Sequence, residues 1–318
     1  MKKLLISAAM MLAMITANAE NLKVTSPDGR LIVNLEDKGG IVTYAVNYDG
    51  QEVIKPSQLG FISDVGDFSK GLTFKKSKTH EVNDRYNIRN IKARNVEYHA
   101  NELNATYADN QNREVTVTFR VSDNNIAFRY SMPQWGETAS ILIKEEATSF
   151  ALPDGTTSFI CPQSSPMVGW MRTKPSYEEE YKPDAPLTDK SAYGEGYTFP
   201  CLFKVRNEKL EVRNYWVLIS ETGVDGKYVG SHLSDYSTAQ PPTGGQGGSY
   251  RIAFPMAGEA NGHGTTDAAL ALPGATPWRT ITVGSDLKPI VETTISTDVV
   301  EQKYDASIDY RPGRYTWS

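Results

Sequence analysis

The chain has 318 residues, of which 39% are hydrophobic and 22% are charged, and its formal net charge is −5. This composition is typical of a globular protein. The acidic balance excludes the dense positive charge that attracts nucleic acids or anionic membranes, so we expect neither as a partner. About 300 residues remain after a leader peptide, enough for one large domain or two small ones.

The first residues have the pattern of a cleavable signal peptide. A basic pair, Lys2-Lys3, precedes an apolar stretch over residues 4–15, and Ala17-Asn18-Ala19 supplies the small residues that signal peptidase accepts. The apolar stretch is shorter than the roughly 20 residues that span a bilayer. We therefore predict that residues 1–19 are a signal peptide, that cleavage falls before Glu20, and that the mature protein is periplasmic.

Short strands separated by turn signals dominate the chain from residue 21 to about residue 150. Asp49-Gly50 predicts a type I′ hairpin turn, because both central residues of that turn take positive φ. Residues 113–120 alternate, with Val115, Val117 and Phe119 on one face, which is typical of a half-buried strand. Further strands are predicted over residues 31–35, 41–46, 126–130, 199–205, 215–220, 227–233, 250–254 and 278–283.

Two segments lack any such pattern. Residues 153–200 are rich in Pro, Ser, Tyr and charge, and we interpret them as a long loop of functional importance or high mobility. Residues 238–248 are rich in Gly, Gln and Pro and predict a flexible loop tip. Many short strands with almost no helix predict an all-β fold. At this length a two-layer antiparallel sandwich is favoured over a small closed barrel.

The residues alone indicate no self-contained active site. The four histidines, at positions 80, 99, 232 and 263, lack the spacing of a zinc site. Neither a phosphate-binding glycine loop nor a nucleophile elbow is present. The exception is Glu178-Glu179-Glu180, which lies between Tyr177 and Tyr181. Carboxylates are ligands of calcium and aromatic rings suit the C–H faces of sugars, although a solvated acidic loop is the alternative.

The two cysteines, Cys161 and Cys201, each lie in an apolar sequence context. This context favours two buried free thiols. A disulfide between them stays open as the alternative, because an exported chain meets oxidising conditions.

A series of short strings follows in order from about residue 23 to the C-terminus. They are Thr25-Ser26-Pro27-Asp28-Gly29, Ile54-Lys55-Pro56-Ser57, Ile126-Ala127-Phe128-Arg129-Tyr130, Ile143-Lys144-Glu145-Glu146, Thr198-Phe199-Pro200, Trp216-Val217-Leu218-Ile219-Ser220-Glu221, Ser231-His232-Leu233 and Thr276-Pro277-Trp278-Arg279-Thr280. In order and spacing they resemble the N-terminal domain of glycoside hydrolase family 97, a family of exported bacterial α-glycosidases.

The resemblance implies a β-supersandwich of the galactose-mutarotase-like kind over residues 20–300. In the family a (β/α)8 barrel follows, and residues 301–318 look like a linker and the beginning of the first barrel strand. We therefore expect the chain to be truncated before the catalytic barrel. Since the barrel supplies the family's catalytic carboxylates, we expect no catalytic residue here and no hydrolysis of glycosides by this chain alone. An open apolar face should be left where the barrel packs.

One residue of the family's N-terminal domain reaches the active site, a Glu that helps to bind a calcium ion. The resemblance places it at Glu178, three residues before Tyr181, with Glu179 and Glu180 as alternative registers. The expected function is an accessory domain of a calcium-dependent α-glycosidase that acts on α-linked glucosides or galactosides. A stand-alone carbohydrate-binding module is the alternative from another class. A mutarotase-type epimerase is suggested only by the shared sandwich, which does not carry function by itself.

Overall fold

The computed structural model describes residues 21–88, 95–164, 179–206, 214–224, 228–240, 247–256 and 266–303. These residues form antiparallel sheets and two short helices. Within the described ranges, no helix is long and apolar enough to cross a bilayer.

The first layer is a four-stranded antiparallel sheet with strands in sequence order. Its strands are β1 (Asn21–Thr25), β2 (Leu31–Lys38), β3 (Ile41–Tyr48) and β4 (Gln51–Gln58). Strands β3 and β4 are joined at Asp49 and Gly50, whose φ angles are 51° and 73°. The predicted positive φ at both turn positions is therefore confirmed.

The second layer is one large, curled sheet. Its strands are β6 (Thr73–Asn87), β7 (Asn95–Ala108), β8 (Glu114–Val121), β9 (Asn125–Met132), β11 (Ser149–Phe150), β12 (Thr157–Pro162), β13 (Ala185–Pro186), β14 (Tyr197–Arg206), β15 (Asn214–Thr222), β16 (His232–Leu233), β17 (Tyr250–Ala253), β19 (Gly274–Ala275) and β20 (Trp278–Gly284). Their order is β11-β17-β16-β14-β15-β20-β9-β8-β7-β6, with β12, β13 and β19 at the margins. A small sheet of β5 (Phe61–Ser63), β10 (Ser140–Glu146) and β18 (Ala268–Ala271) lies beside it.

The core lies between the two layers and holds the alternate apolar residues of both. On β3, Tyr44 contacts Phe119 of β8 and Phe128 of β9, with ring centroids 5.8 and 5.3 Å apart. Val115, Val117 and Phe119 all point into this core, as the alternation predicts. The all-β antiparallel sandwich expected from the sequence is therefore confirmed.

Two helices follow the last strand and lie against the large sheet. They are α1 (Lys288–Glu292) and α2 (Ile295–Asp298). From α2, Ile295 packs in a small apolar cluster with Trp278, Tyr98 and Ala127 on the side of the sheet away from the main core.

Two predictions of secondary structure need correction. The strand expected over residues 227–233 is limited to β16, the last two of those residues, and residue 227 itself lies outside the described part. The segment 153–200, expected to be a loop, contains β12, β13 and the beginning of β14. The strand β12 forms because it pairs with β14. A bulge between Phe159 and Cys161 interrupts the alternation that would otherwise indicate this strand in the sequence. Of the expected loop tip at 238–248, residues 241–246 lie outside the described part.

Candidate functional site

A shallow cleft opens where β12 ends beside the beginning of β14. Past Cys161, the Gln163 backbone N–H donates to the Gly196 carbonyl at 2.8 Å, and Thr198 Oγ1 donates to Gln163 Oε1 at 2.8 Å. These bonds hold the two strand ends together. The resulting depression, of about 310 Å³, is lined by Cys161, Gln163, Ser164, Tyr181, Thr198, Phe199 and Pro200. We call it the acidic cleft, because Glu179 of the acidic segment 178–180 contacts Ser164 in its lining.

Glu179 is the described carboxylate with the most defined position in the acidic cleft. Its Oε1 accepts hydrogen bonds from Ser164 Oγ at 3.2 Å and from Tyr193 OH at 3.1 Å. The side chain is half-buried. Two neutral donors therefore orient the carboxylate without neutralising its charge, which leaves it able to attract a cation.

The Tyr181 ring lines the acidic cleft, and Phe159 packs on that ring from the neighbouring surface. The rings of Phe159 and Tyr181 stack with centroids 4.8 Å apart and an interplanar angle of 27°. Phe159 is 43% exposed. A ring face beside hydroxyl and amide groups provides the two kinds of contact that a sugar makes, apolar C–H packing and hydrogen bonding.

The segment that returns from the acidic cleft to β14 is anchored by buried polar groups. Ser191 donates its N–H to Asp235 Oδ1 at 2.8 Å, and its Oγ accepts the Gly196 N–H at 2.9 Å. Tyr197 donates its hydroxyl to the Asp189 carbonyl at 3.1 Å. Burial, with the nearby charges of Asp235 and Asp189, raises the pKa of Tyr197 to about 12. This phenol is thus a structural donor, not an acid or base at neutral pH.

Glu178, the predicted calcium ligand, lies outside the described residues, so its role stays a prediction. Glu180 is described and exposed. In the described ranges, no three His, Cys, Asp or Glu side chains are placed to hold a metal ion. The oriented carboxylate of Glu179 and the surrounding hydroxyl and amide oxygens suit a hard cation, but calcium takes roughly 6–8 oxygen ligands. One oriented carboxylate supplies far fewer ligands than calcium requires, so calcium binding stays a prediction.

A buried ionic network in the core was not anticipated from the sequence. Arg279 of β20 donates through Nε to Glu146 Oε1 at 3.0 Å and through Nη2 to Glu146 Oε2 at 2.5 Å. Its Nη1 donates to Glu221 Oε2 and, at 2.8 Å, to Ser231 Oγ. These four residues come from four of the strings that carry the family resemblance. The four strings are visible in the sequence, but a single sequence does not show that strings far apart along the chain come into contact in the fold.

Both cysteines are buried free thiols, which confirms the interpretation from their apolar context. Burial, followed by the proximity of Cys161, raises the pKa of the Cys201 thiol. A thiol with a raised pKa is a poor nucleophile, since the thiolate is the reactive form. Cys201 therefore adds no reactive group to the acidic cleft.

The structure is that of an all-β sandwich domain, with a cleft that offers a ring face and oriented oxygen atoms. The chain belongs to the glycosyl-hydrolase 97 N-terminal family, whose model matches residues 24–301. The suspected resemblance is thereby confirmed.

Individual relatives agree with this family. The chain is 27% identical over 295 residues to a probable retaining alpha-galactosidase of Streptomyces bingchenggensis, covering 92% of this chain and 40% of that protein. It is 49% identical to a beta-arabinopyranosidase of known structure, with a TM-score of 0.83, covering 92% of this chain and 44% of that one. A family 97 enzyme from Pseudoalteromonas sp. strain K8, solved with panose, shares the fold at 23% identity and a TM-score of 0.68, covering 86% and 37%. The chain thus spans less than half the length of these relatives.

Proposed function

We propose that the chain is the N-terminal domain of an exported, calcium-dependent α-glycosidase, in which it packs on a catalytic barrel and contributes a carboxylate to the active site. The observation that carries the proposal is the match of residues 24–301 to the glycosyl-hydrolase 97 N-terminal family. The oriented carboxylate in the acidic cleft supports it, because a residue that completes a metal site from another domain must be held at the surface.

Of the two substrate classes expected from the sequence, α-linked glucosides and galactosides, we favour the galactosides. One relative is named a probable retaining alpha-galactosidase and another a beta-arabinopyranosidase. The β-L-arabinopyranosyl ring has the configuration of an α-D-galactosyl ring and lacks only the hydroxymethyl group. A pocket for one sugar is therefore readily adapted to the other.

The carboxylate of Glu178 is the ligand that we assign to calcium. Glu179 follows it directly in the sequence, and the Glu179 carboxylate accepts hydrogen bonds from Ser164 and Tyr193. When bound, calcium would supply Lewis-acid stabilisation of negative charge or orient the leaving group. The domain's part is to hold a carboxylate in place so that the ion's coordination is completed without reorganisation of this chain.

Three matched substitutions test this assignment in a polypeptide that carries this domain together with a catalytic barrel. Glu178→Gln keeps the shape of the side chain and removes its charge. Calcium affinity and kcat should each fall at least about 10-fold, because loss of a direct ligand costs no less than loss of a residue that only orients one. Glu180→Gln, on an exposed side chain, is the control and should change neither quantity. Calcium affinity is measured by titration calorimetry, and turnover with nitrophenyl α-galactoside.

The third substitution, Glu179→Gln, tests which carboxylate of the acidic segment is the calcium ligand. A loss of calcium affinity and turnover in Glu179→Gln alone would place the calcium ligand at Glu179 instead of Glu178 and would keep the proposed function. Wild-type affinity and turnover in all three variants would make the acidic segment a solvated surface and reject the assignment.

A stand-alone sugar-binding module is the second candidate, favoured by the exposed stack of Phe159 on Tyr181. Isothermal titration calorimetry of this chain with maltose and melibiose distinguishes a sugar-binding module from an accessory domain. An accessory domain should show no heat of binding at millimolar sugar, whereas micromolar affinity that Phe159→Ala abolishes would favour the module.

Export to the periplasm, directed by residues 1–19, is part of the same proposal. The mass of the protein recovered from a periplasmic extract should correspond to a first residue of Glu20. A mass that retains the first nineteen residues would reject the cleavage site.

A further inference from the structure

The face of the large sheet that points away from the core is divided into two regions of opposite character. Across β7 and β8 it is polar and internally hydrogen-bonded. Asn104 donates to Glu102 at 2.7 Å, and Thr118 donates to Asn104 at 2.7 Å. Arg120 donates to Glu102 at 2.5 Å. Glu102 and Thr118 are buried, and the small apolar cluster beside this network is covered by α2.

Across β12, β14 and β15 the same face is apolar. Strand pairing places Phe159 opposite Leu202 and Leu202 opposite Leu218, while Trp216 lies opposite Lys204. Leu287, which precedes α1, lines a depression of about 350 Å³ with Phe159, Leu202 and Trp216. We name the outer apolar patch by its residues, Phe159, Leu202, Trp216, Leu218 and Leu287.

The outer apolar patch is exposed to an extent that calls for a partner. Phe159 and Leu287 are each 43% exposed and are two of the four exposed large hydrophobic residues in the described ranges. The side chains of Leu202, Trp216 and Leu218 are half-buried. Contiguous apolar surface of this kind marks an interaction site, whereas single exposed apolar residues do not.

The position of the patch identifies its partner. Phe159 belongs to the patch and stacks directly on Tyr181, the residue that follows the acidic segment. If that segment reaches an active site in a barrel, the adjoining surface must face the same barrel. More than half of the matched arabinopyranosidase lies beyond the part that this chain covers, so such a relative has ample chain to form that partner.

The rim of the patch also suits a protein surface. Lys204 Nζ donates to Asp184, and Asp184 Oδ1 accepts a hydrogen bond from Thr157 at 3.0 Å. Charged and hydroxyl groups thus border an apolar centre, the arrangement typical of interfaces between proteins or domains.

We propose that the outer apolar patch is the surface on which the catalytic barrel docks, and that this docking aims the acidic segment at the active site. The inference rests on the proposed function and adds to it the face of the domain that meets the barrel.

Cysteine accessibility tests the docking surface. Phe159→Cys is compared with Ser77→Cys, which lies on the exposed strand β6 of the same sheet. Each is made in a polypeptide that carries this domain and its barrel, and also in this chain alone. Labelling by a maleimide reagent is followed by mass spectrometry, with the unsubstituted proteins as the background for the two buried native thiols.

In the two-domain polypeptide, Phe159→Cys should be labelled at least ~10-fold more slowly than Ser77→Cys. In this chain alone the two rates should agree within about threefold. Leu287→Cys should repeat the protection at a second position of the patch. This result guards against a local effect of replacing Phe159.

Three results would overturn the proposal. Equal labelling of Phe159→Cys and Ser77→Cys in the two-domain polypeptide would leave the patch uncovered. Protection in this chain alone, together with a dimeric mass, would assign the patch to a second copy. Protection that requires added melibiose or maltose would make it a sugar site.

The glutamate substitutions separate failure of the docking surface from failure of the proposed function. Loss of turnover in Glu178→Gln with rapid labelling at Phe159→Cys would reject only the docking surface. Protection at Phe159→Cys with all three glutamate variants silent would keep the docking surface and reject the calcium role.

Discussion

Arg279 and Glu146 form a two-bond ion pair inside the core, with Nε–Oε1 and Nη2–Oε2 distances of 3.0 and 2.5 Å and both side chains 1% exposed. Arg279 joins β20 of the large sheet to β10 of the small one, 133 residues apart in sequence. Its remaining nitrogen, Nη1, binds Glu221 and Ser231. One guanidinium therefore ties three strands and a connecting segment together.

Loss of the Arg279 charge should be among the most destabilising single changes in the domain. Arg279→Met leaves the Glu146 and Glu221 carboxylates without their cation. Breaking a buried pair in this way costs about 3–5 kcal/mol. Urea unfolding followed by tryptophan fluorescence measures the free energy.

The matched control is Arg30→Met, which removes the surface pair of Arg30 with Asp49, whose side chains are 43% and 33% exposed. An exposed pair of this kind contributes about 1 kcal/mol or less. Adding Glu146→Gln to Arg279→Met should recover part of the loss, because one stranded charge is removed. Equal costs for Arg279→Met and Arg30→Met would show that the buried network does not stabilise the fold.

Gly196 should tolerate no side chain. Its φ is +88°, and a Cβ there would lie 2.0 Å from the Leu233 carbonyl oxygen. Gly196→Ala should therefore lower the free energy of unfolding by about 3 kcal/mol or more, since steric overlap adds to the cost of a left-handed residue. Gly194→Ala is the control, because Gly194 has φ +74° but no atom lies within 4 Å of the position that a Cβ would take there. It should cost roughly 1–2 kcal/mol, and a similar loss at both sites would contradict the role of the Leu233 contact.

Asp109 should contribute to stability at neutral pH and lose that contribution in acid. Burial tends to raise the pKa of Asp109, but hydrogen bonds from the Arg113 side chain and backbone and from the Gln111 N–H outweigh it and lower the pKa. A carboxyl with a lowered pKa in the folded state stabilises fully above its unfolded pKa, about 3.9. The contribution disappears as the pH falls through the folded value.

Asp109→Asn should therefore be destabilising at pH 7, and its stability should depend less steeply on pH below about 4. Urea unfolding at a series of pH values from neutral to strongly acidic measures both effects. If the free energy of unfolding falls equally steeply with acid in the wild type and the variant, Asp109 is not the source of this pH dependence.

The two cysteines should remain free thiols in the exported protein. Thiol titration without reductant should find almost no reaction in the folded state, because both side chains are buried. In denaturant it should find two thiols per chain. A titre of zero in denaturant would show that Cys161 and Cys201 oxidise to a disulfide.

Local patterns in the sequence were sufficient for the strands that alternate cleanly or end in a tight turn, but not for the two longest strands, β6 and β7. The alternation around Val117 and the turn at Asp49 and Gly50 predict elements that the structure contains, because a half-buried strand and a tight hairpin each have a sequence requirement of their own. The strand β12 was missed because its pairing with β14, across a bulge at Phe159, supplies a structure that its own residues do not indicate.

The site was predictable only in part, for a similar reason. The acidic segment was singled out by its composition, and Glu179 does lie at a cleft with aromatic and hydroxyl groups. That Ser164 and Tyr193 orient this carboxylate depends on two segments on either side of it meeting in space. The convergence of Glu146, Glu221 and Arg279 likewise depends on strand order, which periodicity does not encode.

Strand β6 forms one margin of the large sheet and is exposed along most of its 15 residues. A sheet margin of that length is a template for intermolecular strand addition, the first step of aggregation. The strand itself carries lysines at positions 75, 76 and 78 and further charged residues at positions 81, 84 and 85. A second molecule that paired there would have to desolvate these charged side chains, which opposes self-assembly through the longest strand of the domain.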